Sequence, residues 1–245
     1  MRLTRVHVPG PLAAGSRYTI AGDAANHIVR VLRLRSGDPV ILFDGRGGEH
    51  AARIEEFRKG EVIVTVGERS AADRESPLSL TLAQGISRGE RMDWVVQKAT
   101  ELGVARIIPV ITERTVVRLD ARQSERKLTH WRGIAVAACE QSARTKTPDI
   151  APPIALHELL RRDDRDGAVR VLLSPSGTLR IGELEARKDG GFLVLIGPEG
   201  GLAEAEQRAA LAAGFAAVRL GPRVLRTETA AVAALTLLQH RFGDL

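Results

Sequence analysis

The sequence predicts an α/β protein of two domains, a small β-barrel followed by a larger domain built on a mostly parallel sheet. Three observations carry this. Short strand-like runs crowd together before residue 70. Strand and helix patterns alternate after residue 77, the mark of a parallel sheet covered on both faces. The stretch between them, Ala71–Pro77, is polar and ends in proline, so the boundary falls there and the expected domains are 1–72 and 73–245.

In the first domain, Val40–Phe43, Ala52–Phe57 and Val62–Val66 read as strands, separated by the turn signals Asp44–Gly48 and Arg58–Gly60. One helix interrupts them, with Asp23 as N-cap and Ala24–Leu34 as its body. His27, Arg30 and Arg33 then share one face as a basic stripe, either a solvated face or an RNA contact. In the second domain, Leu78–Ala83 is a strand and Arg91–Leu102 a helix closed by Gly103. Ile107–Ile111 is a strand, and Arg122–Ser142 a long helix with Leu128, Trp131, Ala135, Ala138 and Ser142 at helical spacing. Val169–Leu173, Phe192–Ile196 and Ala217–Leu220 are strands. Glu204–Ala213 and Thr229–Arg241 are helices, the last apolar nearly all round and therefore expected to be buried, in the core or in a dimer interface.

Composition narrows the function. The 245 residues carry a net charge of +6, with the surplus split evenly at +3 before and +3 after residue 72. A polyanionic partner, RNA or DNA before membrane, suits this balance. The one cysteine, Cys139, rules out an intramolecular disulfide, suits a reducing compartment and reads as a small core residue within a helix. No apolar run reaches the ~18 residues of a membrane span, and Met1–Val8 lacks a signal-peptide stretch, so a cytoplasmic protein is expected. Aromatic residues make up 3% of the chain, so stacking of bases on aromatic platforms is a minor theme.

The chemistry concentrates in Ile196-Gly-Pro-Glu-Gly-Gly201 and Leu220-Gly-Pro-Arg-Val-Leu-Arg-Thr-Glu-Thr-Ala230. Each follows an apolar strand and precedes a helix. Loops leaving the carboxyl ends of strands line the crevice of an open α/β sheet, and glycine lets backbone approach a ligand closely. One composite site is expected there. It is neither a Walker A loop nor a dinucleotide fingerprint. Paired cysteines and His-Glu-x-x-His are absent, so no metal is expected.

Several stretches together resemble one family, the SPOUT-class RNA methyltransferases that methylate N3 of a uridine in small-subunit (16S) ribosomal RNA (RsmE-like). They are Asn26–Arg33, Ser87–Glu90, Gln97–Val104, Pro109 with Glu113–Thr115, Ala137–Arg144 with Pro148, the two glycine loops, and the tail Gln239–Leu245. The resemblance spans nearly the whole chain. It implies a PUA-like β-barrel that binds RNA, then a SPOUT α/β domain with a deep trefoil knot. It also implies bent S-adenosylmethionine in the knot loops, a homodimer through the knotted domain, and the small ribosomal subunit as partner. Gln84 and Asp93 depart from residues common in the family.

On this reading Ile196, Gly197, Pro198, Glu199, Gly200 and Gly201, with Leu220, Gly221, Pro222, Leu225 and Thr229, hold the cofactor. Arg226 or Arg88 stabilises negative charge on uracil oxygens, and Glu228 is the leading general base. Glu228 has an alternative place as a helix cap or partner of Arg226. Glu199 either orients the donor or binds nearby backbone N–H groups. His27, Arg30, Arg33, Arg88, Lys98 and Arg144 are the expected RNA contacts. A ribose 2′-O-methyltransferase and a non-catalytic RNA-binding or ribosome-assembly protein stay open beside this reading.

Overall fold

A computed structural model describes residues 3–116, 120–161, 167–186 and 190–245. Of the N-terminal segment read above, Met1 and Arg2 lie outside the described residues. The chain packs as two compact units, Met1–Glu75 with Val136–Thr147, and Ser76–Ala135 with Pro148–Leu245. A boundary drawn once along the sequence does not anticipate the return of 136–147.

The first unit is a five-stranded sheet. Its strands are β1 (Thr4–His7), β2 (Arg17–Ala21), β3 (Pro39–Phe43), β4 (Glu49–Arg58) and β5 (Glu61–Ser70), in the order β1-β3-β4-β5-β2. β1 runs parallel to β3 and the other pairs are antiparallel. Among the described residues no ladder joins β1 to β2, so the expected barrel is an open half-barrel. Val6, Ile20, Leu42, Ile54, Val64 and Ile28 fill its core. The sequence reading missed β1 and β2, since each is short and mixes polar with apolar residues rather than forming an apolar run.

The expected helix 24–34 is also shorter. α1 is Gly22–Asn26, continuing as one wide π-type turn, His27–Val31. Asp23 lies inside the first turn, and Ala21 takes the cap position. Arg33 sits at φ 52°, in the left-handed region, so it leaves the helix face that His27 and Arg30 occupy. The continuous basic stripe is therefore broken, although all three side chains are exposed.

Polar contacts fix the returning segment within this unit. Glu49 pairs with Arg5 and with Arg74, the latter at 3.2 Å. Arg144 pairs with Glu75 at 2.7 Å, and Glu75 also accepts the backbone N–H groups of Thr145 and Lys146. The His7 N–H donates to Glu140. Burial pushes the Glu49 carboxyl up, but the hydrogen bonds and charges of Arg5 and Arg74 outweigh it and hold the group below its ordinary value. Cys139 is fully buried here, and burial pushes its thiol up to about 12.

The second unit is a seven-stranded parallel sheet. In chain order it contains β6 (Leu80–Gly85), α2 (Glu90–Glu101), β7 (Arg106–Ile111), α3 (Ala121–Ser142, its last turns in the first unit), β8 (Asp149–Ile150), β9 (Ile154–Ala155) and α4 (Leu156–Arg161). β10 (Val169–Leu173), β11 (Phe192–Ile196), α5 (Glu204–Ala212), β12 (Ala216–Val218) and α6 (Thr227–Phe242) complete it. The strand order is β12-β10-β11-β6-β7-β8, with β9 also on β7.

Alternation along the strands builds two cores. Leu80, Leu82, Ile107 and Val194 join α2, α3 and α6 through Val96, Trp131 and Leu235. Ala83, Ile108, Leu193 and Leu195 join α4 and α5 through Leu159 and Ala210. β11 is buried at every position because both faces are covered. α2 ends as expected. Val104 N–H donates to Ala99 O at 3.0 Å and Gly103 N–H to Thr100 O at 3.1 Å, the paired bonds that close a helix on a C′ glycine. α6 buries one face within the chain and leaves another open, which fits burial in the core only in part. One face is buried through Ala231, Ala234, Leu235 and Leu238, while Thr229, Thr236 and Leu237 are exposed.

Candidate functional site

The carboxyl ends of β10, β11 and β12 meet at one cavity of about 580 Å³, lined by Leu172 and Leu173, Ile196, and Val218 respectively. That size lies within the range of small-molecule sites, about 300–1,000 Å³. Both glycine loops reach it. Ile196 through Leu202 form one wall, and Leu220, Gly221 and Arg223–Glu228 another.

Close backbone packing sets the first loop. A Cβ on Gly85 would lie 2.4 Å from Pro198 N, and one on Gly197 would lie 2.8 Å from Gly201 C. Real Cβ atoms do not come so close to backbone, so both positions require glycine for proximity. The loop then turns tightly, with Gly201 N–H donating to Pro198 O at 2.8 Å. Thr227 locks this wall to the start of α6. Its Oγ1 donates to Gly197 O at 2.7 Å and accepts from Gln84 Nε2 at 2.8 Å, all within the buried interior.

Charges flank the loop. Glu199 Oε1 accepts the Arg88 backbone N–H at 2.9 Å and Arg91 Nη1 at 2.7 Å. Partial burial pushes the Glu199 carboxyl up, but the backbone N–H groups of Glu199 and Arg88, with Arg91, hold it below its ordinary value. Glu199 thus binds nearby backbone N–H, one of the two roles expected for it, and it also lines the cavity. Arg114 donates to Gly200 O at 2.8 Å.

Glu228 stands apart. Its Oε2 is buried and has no hydrogen-bond partner among the described residues, and the residue lines the cavity. Among the described residues no side-chain cap stands at the start of α6 and Glu228 makes no ion pair with Arg226, the two structural roles the sequence allowed. Arg226 is exposed and lines the same cavity. A buried oxygen without a donor is costly unless a ligand supplies one.

Other expected residues fall elsewhere. Pro222 faces a different groove, and Thr229 is exposed on α6 without lining the cavity, because helical geometry turns it from the wall that Thr227, Glu228 and Ala230 share. Arg88 does not line the cavity; its backbone, rather than its side chain, serves the site through Glu199. Arg144 is 5% exposed and held by Glu75, so the RNA contact expected of it is corrected to an internal ion pair. Lys98 is half-buried and pairs with Glu101 at 2.8 Å. Sequence reasoning missed Leu172–Pro175, Arg91, Arg114, Gln207 and Thr227. Thr227 had a signal in its place between Arg226 and Glu228, and Arg114 in its place within the matching stretch Glu113–Thr115.

A parallel sheet with glycine loops at its carboxyl edge, following a small half-barrel in the chain, is the arrangement found here in a chain that matches RNA methyltransferase models over both parts. The family model for an RNA methyltransferase domain matches residues 74–239, and that for an RNA methyltransferase PUA domain matches residues 20–67. Ribosomal RNA small subunit methyltransferase E of Buchnera aphidicola is 32% identical over 100% of this chain and 98% of its own length. That of Bacillus subtilis is 34% identical over 91% of this chain and 90% of its own. The solved enzyme of Neisseria gonorrhoeae, bound to S-adenosyl methionine, superposes with a TM-score of 0.91 at 36% identity, covering 100% of both chains. A Legionella pneumophila protein in complex with bound cofactor SAM gives 0.96 at 38% identity, again over 100% of both. The chain belongs to the ribosomal RNA small subunit methyltransferase E family.

Proposed function

We propose that this protein methylates N3 of a specific uridine in 16S ribosomal RNA, using S-adenosylmethionine, and that it works on the small ribosomal subunit as a homodimer through a knotted C-terminal domain. The cytoplasm is the proposed location; among the described residues no helix is long and apolar enough to cross a membrane. The trefoil knot belongs to the same proposal.

The observation that carries the reading is the unpartnered Glu228 Oε2 in a glycine-walled cavity. The residues present fit the cofactor. Carbonyl and N–H groups of 196–201 and 220–225 can bind its polar edges, and Leu172, Ile196 and Val218 offer apolar surface. S-adenosylmethionine, when bound, supplies an electrophilic methyl group on a sulfonium.

This chain's residues prepare the nucleophile. Uracil N3 is a poor nucleophile while it carries its proton, and it lies on the pairing edge, so the base must be unpaired or extruded. Glu228 accepts the N3 proton. Arg226 balances the charge left on the uracil oxygens. Arg91 and the Arg88 backbone hold Glu199, which keeps the 198–201 turn in place. The half-barrel, with exposed His27 and Arg30, supplies RNA contacts.

The test is transfer of labelled methyl groups to small subunits lacking their own modifications, followed by nucleoside analysis. Labelled N3-methyluridine is expected. A 2′-O-methylated nucleoside would replace the reading with ribose methylation, and absence of cofactor binding would leave an RNA-binding protein.

A further inference from the structure

Behind the loop that walls the cofactor cavity lies a second groove of about 740 Å³. Its sides are the turn Ile181–Glu183 with Arg180 before it, the loop Arg219–Pro222, and the last turns of α6. Arg180, Arg219 and Arg241 all line it, and Arg180 and Arg219 are exposed. Among the described residues, none of the three makes an ion pair. Glu183, beside them, takes the backbone N–H of Arg180 rather than a guanidinium. Arg241 rests over the Phe242 ring at 5.1 Å, a contact that leaves its N–H edge able to donate.

Three arginines line this one groove, and the nearby Glu183 carboxylate is engaged with backbone. Arg17, Arg58, Arg74 and Arg106, by contrast, each pair with a carboxylate. Like charges lining one groove favour an anion between them. Guanidinium forks match phosphate oxygens in pairs. The groove shares Leu220 and Gly221 with the cofactor cavity, so whatever binds one side of that loop sits one backbone thickness from the other.

We propose that this groove is a phosphate track, in which Arg180, Arg219 and Arg241 hold the backbone of the substrate RNA next to the nucleotide being modified. The inference rests on the RNA-methylating reading above and adds the surface that presents the RNA. It also gives Pro222, which lines the groove rather than the cofactor cavity, a place in the fold of that track.

The test compares the wild-type protein with Arg180→Gln, Arg219→Gln, Arg241→Gln and the triple variant. Affinity for small-subunit RNA is measured from 50 to 200 mM KCl, cofactor affinity by calorimetry, and assembly state by sedimentation. Each phosphate contact contributes about 0.7–0.9 to the slope of log affinity against log salt. The triple variant is expected to lose about 2–3 from that slope, with cofactor affinity and kcat at saturating RNA unchanged. Lysine at the same positions is expected to restore most of the slope. An unchanged slope in the triple variant, with wild-type methyl transfer intact, overturns the track and leaves the methylation reading standing. Weaker RNA binding that follows only from dissociation of subunits also overturns it, because the groove is then a subunit contact. Wild-type protein that neither binds nor methylates the RNA removes the reading itself.

Discussion

Replacing Thr227 by valine tests whether the cofactor wall is held by its buried hydroxyl. The side chain keeps its shape, so packing changes little. What goes is the 2.7 Å bond to Gly197 O and the 2.8 Å bond from Gln84 Nε2. Gln84 keeps its second bond, to Gly85 O at 3.0 Å, while the Gly197 carbonyl loses a partner in the interior. Each net hydrogen bond is worth about 1 kcal/mol, and a stranded buried acceptor costs about 1–3 kcal/mol. A loss of about 2–4 kcal/mol follows. At roughly 2–4 °C per kcal/mol for a unit of this size, the melting temperature should fall by about 4–16 °C. If about 1.4 kcal/mol of this falls on ordering the loop for its ligand, cofactor affinity drops about tenfold. Differential scanning calorimetry and cofactor titration measure both, with Thr227→Ser as the control that keeps the hydroxyl. A valine variant that melts within a degree of wild type and binds cofactor equally would refute the reasoning.

Four further outcomes are expected. Glu228→Gln should lower methyl transfer at neutral pH by about 10²-fold or more while cofactor affinity holds; an unaltered pH–rate profile would remove Glu228 as the base. Gly85→Ala should displace the Pro198 turn, costing about 1–3 kcal/mol and most of the cofactor affinity, as read by thermal melting and calorimetry. Because Glu49 titrates below its ordinary value when folded, its pairs with Arg5 and Arg74 stabilise the first unit above the ordinary carboxylate range. That stability should be lost as pH falls through the lowered value, and Glu49→Gln should flatten the acid limb of the melting curve. Cys139, with its thiol held up to about 12 and no exposure, should resist thiol reagents at pH 8 until the protein is unfolded.

The central strands were legible because they are short apolar runs between turn signals, and β11, buried throughout, is the plainest of them. α2 was legible through its periodicity and Gly103. The site was half legible. Glycine marked 196–201 and 220–221, where backbone approach is the chemistry. The wall at Leu172–Pro175 bore no mark, because an apolar strand end that touches a ligand looks like one that touches a core. Arg144 misled for a related reason. Its charge suggested phosphate, while its partner Glu75 lies 69 residues away in a stretch that reads as linker. α3 concealed its own division, since one unbroken periodicity runs through residues that belong to different units.

That division sets the order in which the protein can mature. The half-barrel needs residues 136–147, including the carbonyl of Arg144 that accepts Arg5 across 139 positions of chain. During synthesis at roughly 5–20 residues per second, residues 1–75 emerge several seconds before the segment that completes them. Through that interval Glu75 lacks Arg144, and the His7 N–H lacks Glu140. The nascent unit waits as an unfinished sheet. A fragment cut after residue 75 would be arrested at the same stage, because the portion that looks most like a detachable module is finished by the far end of someone else's helix.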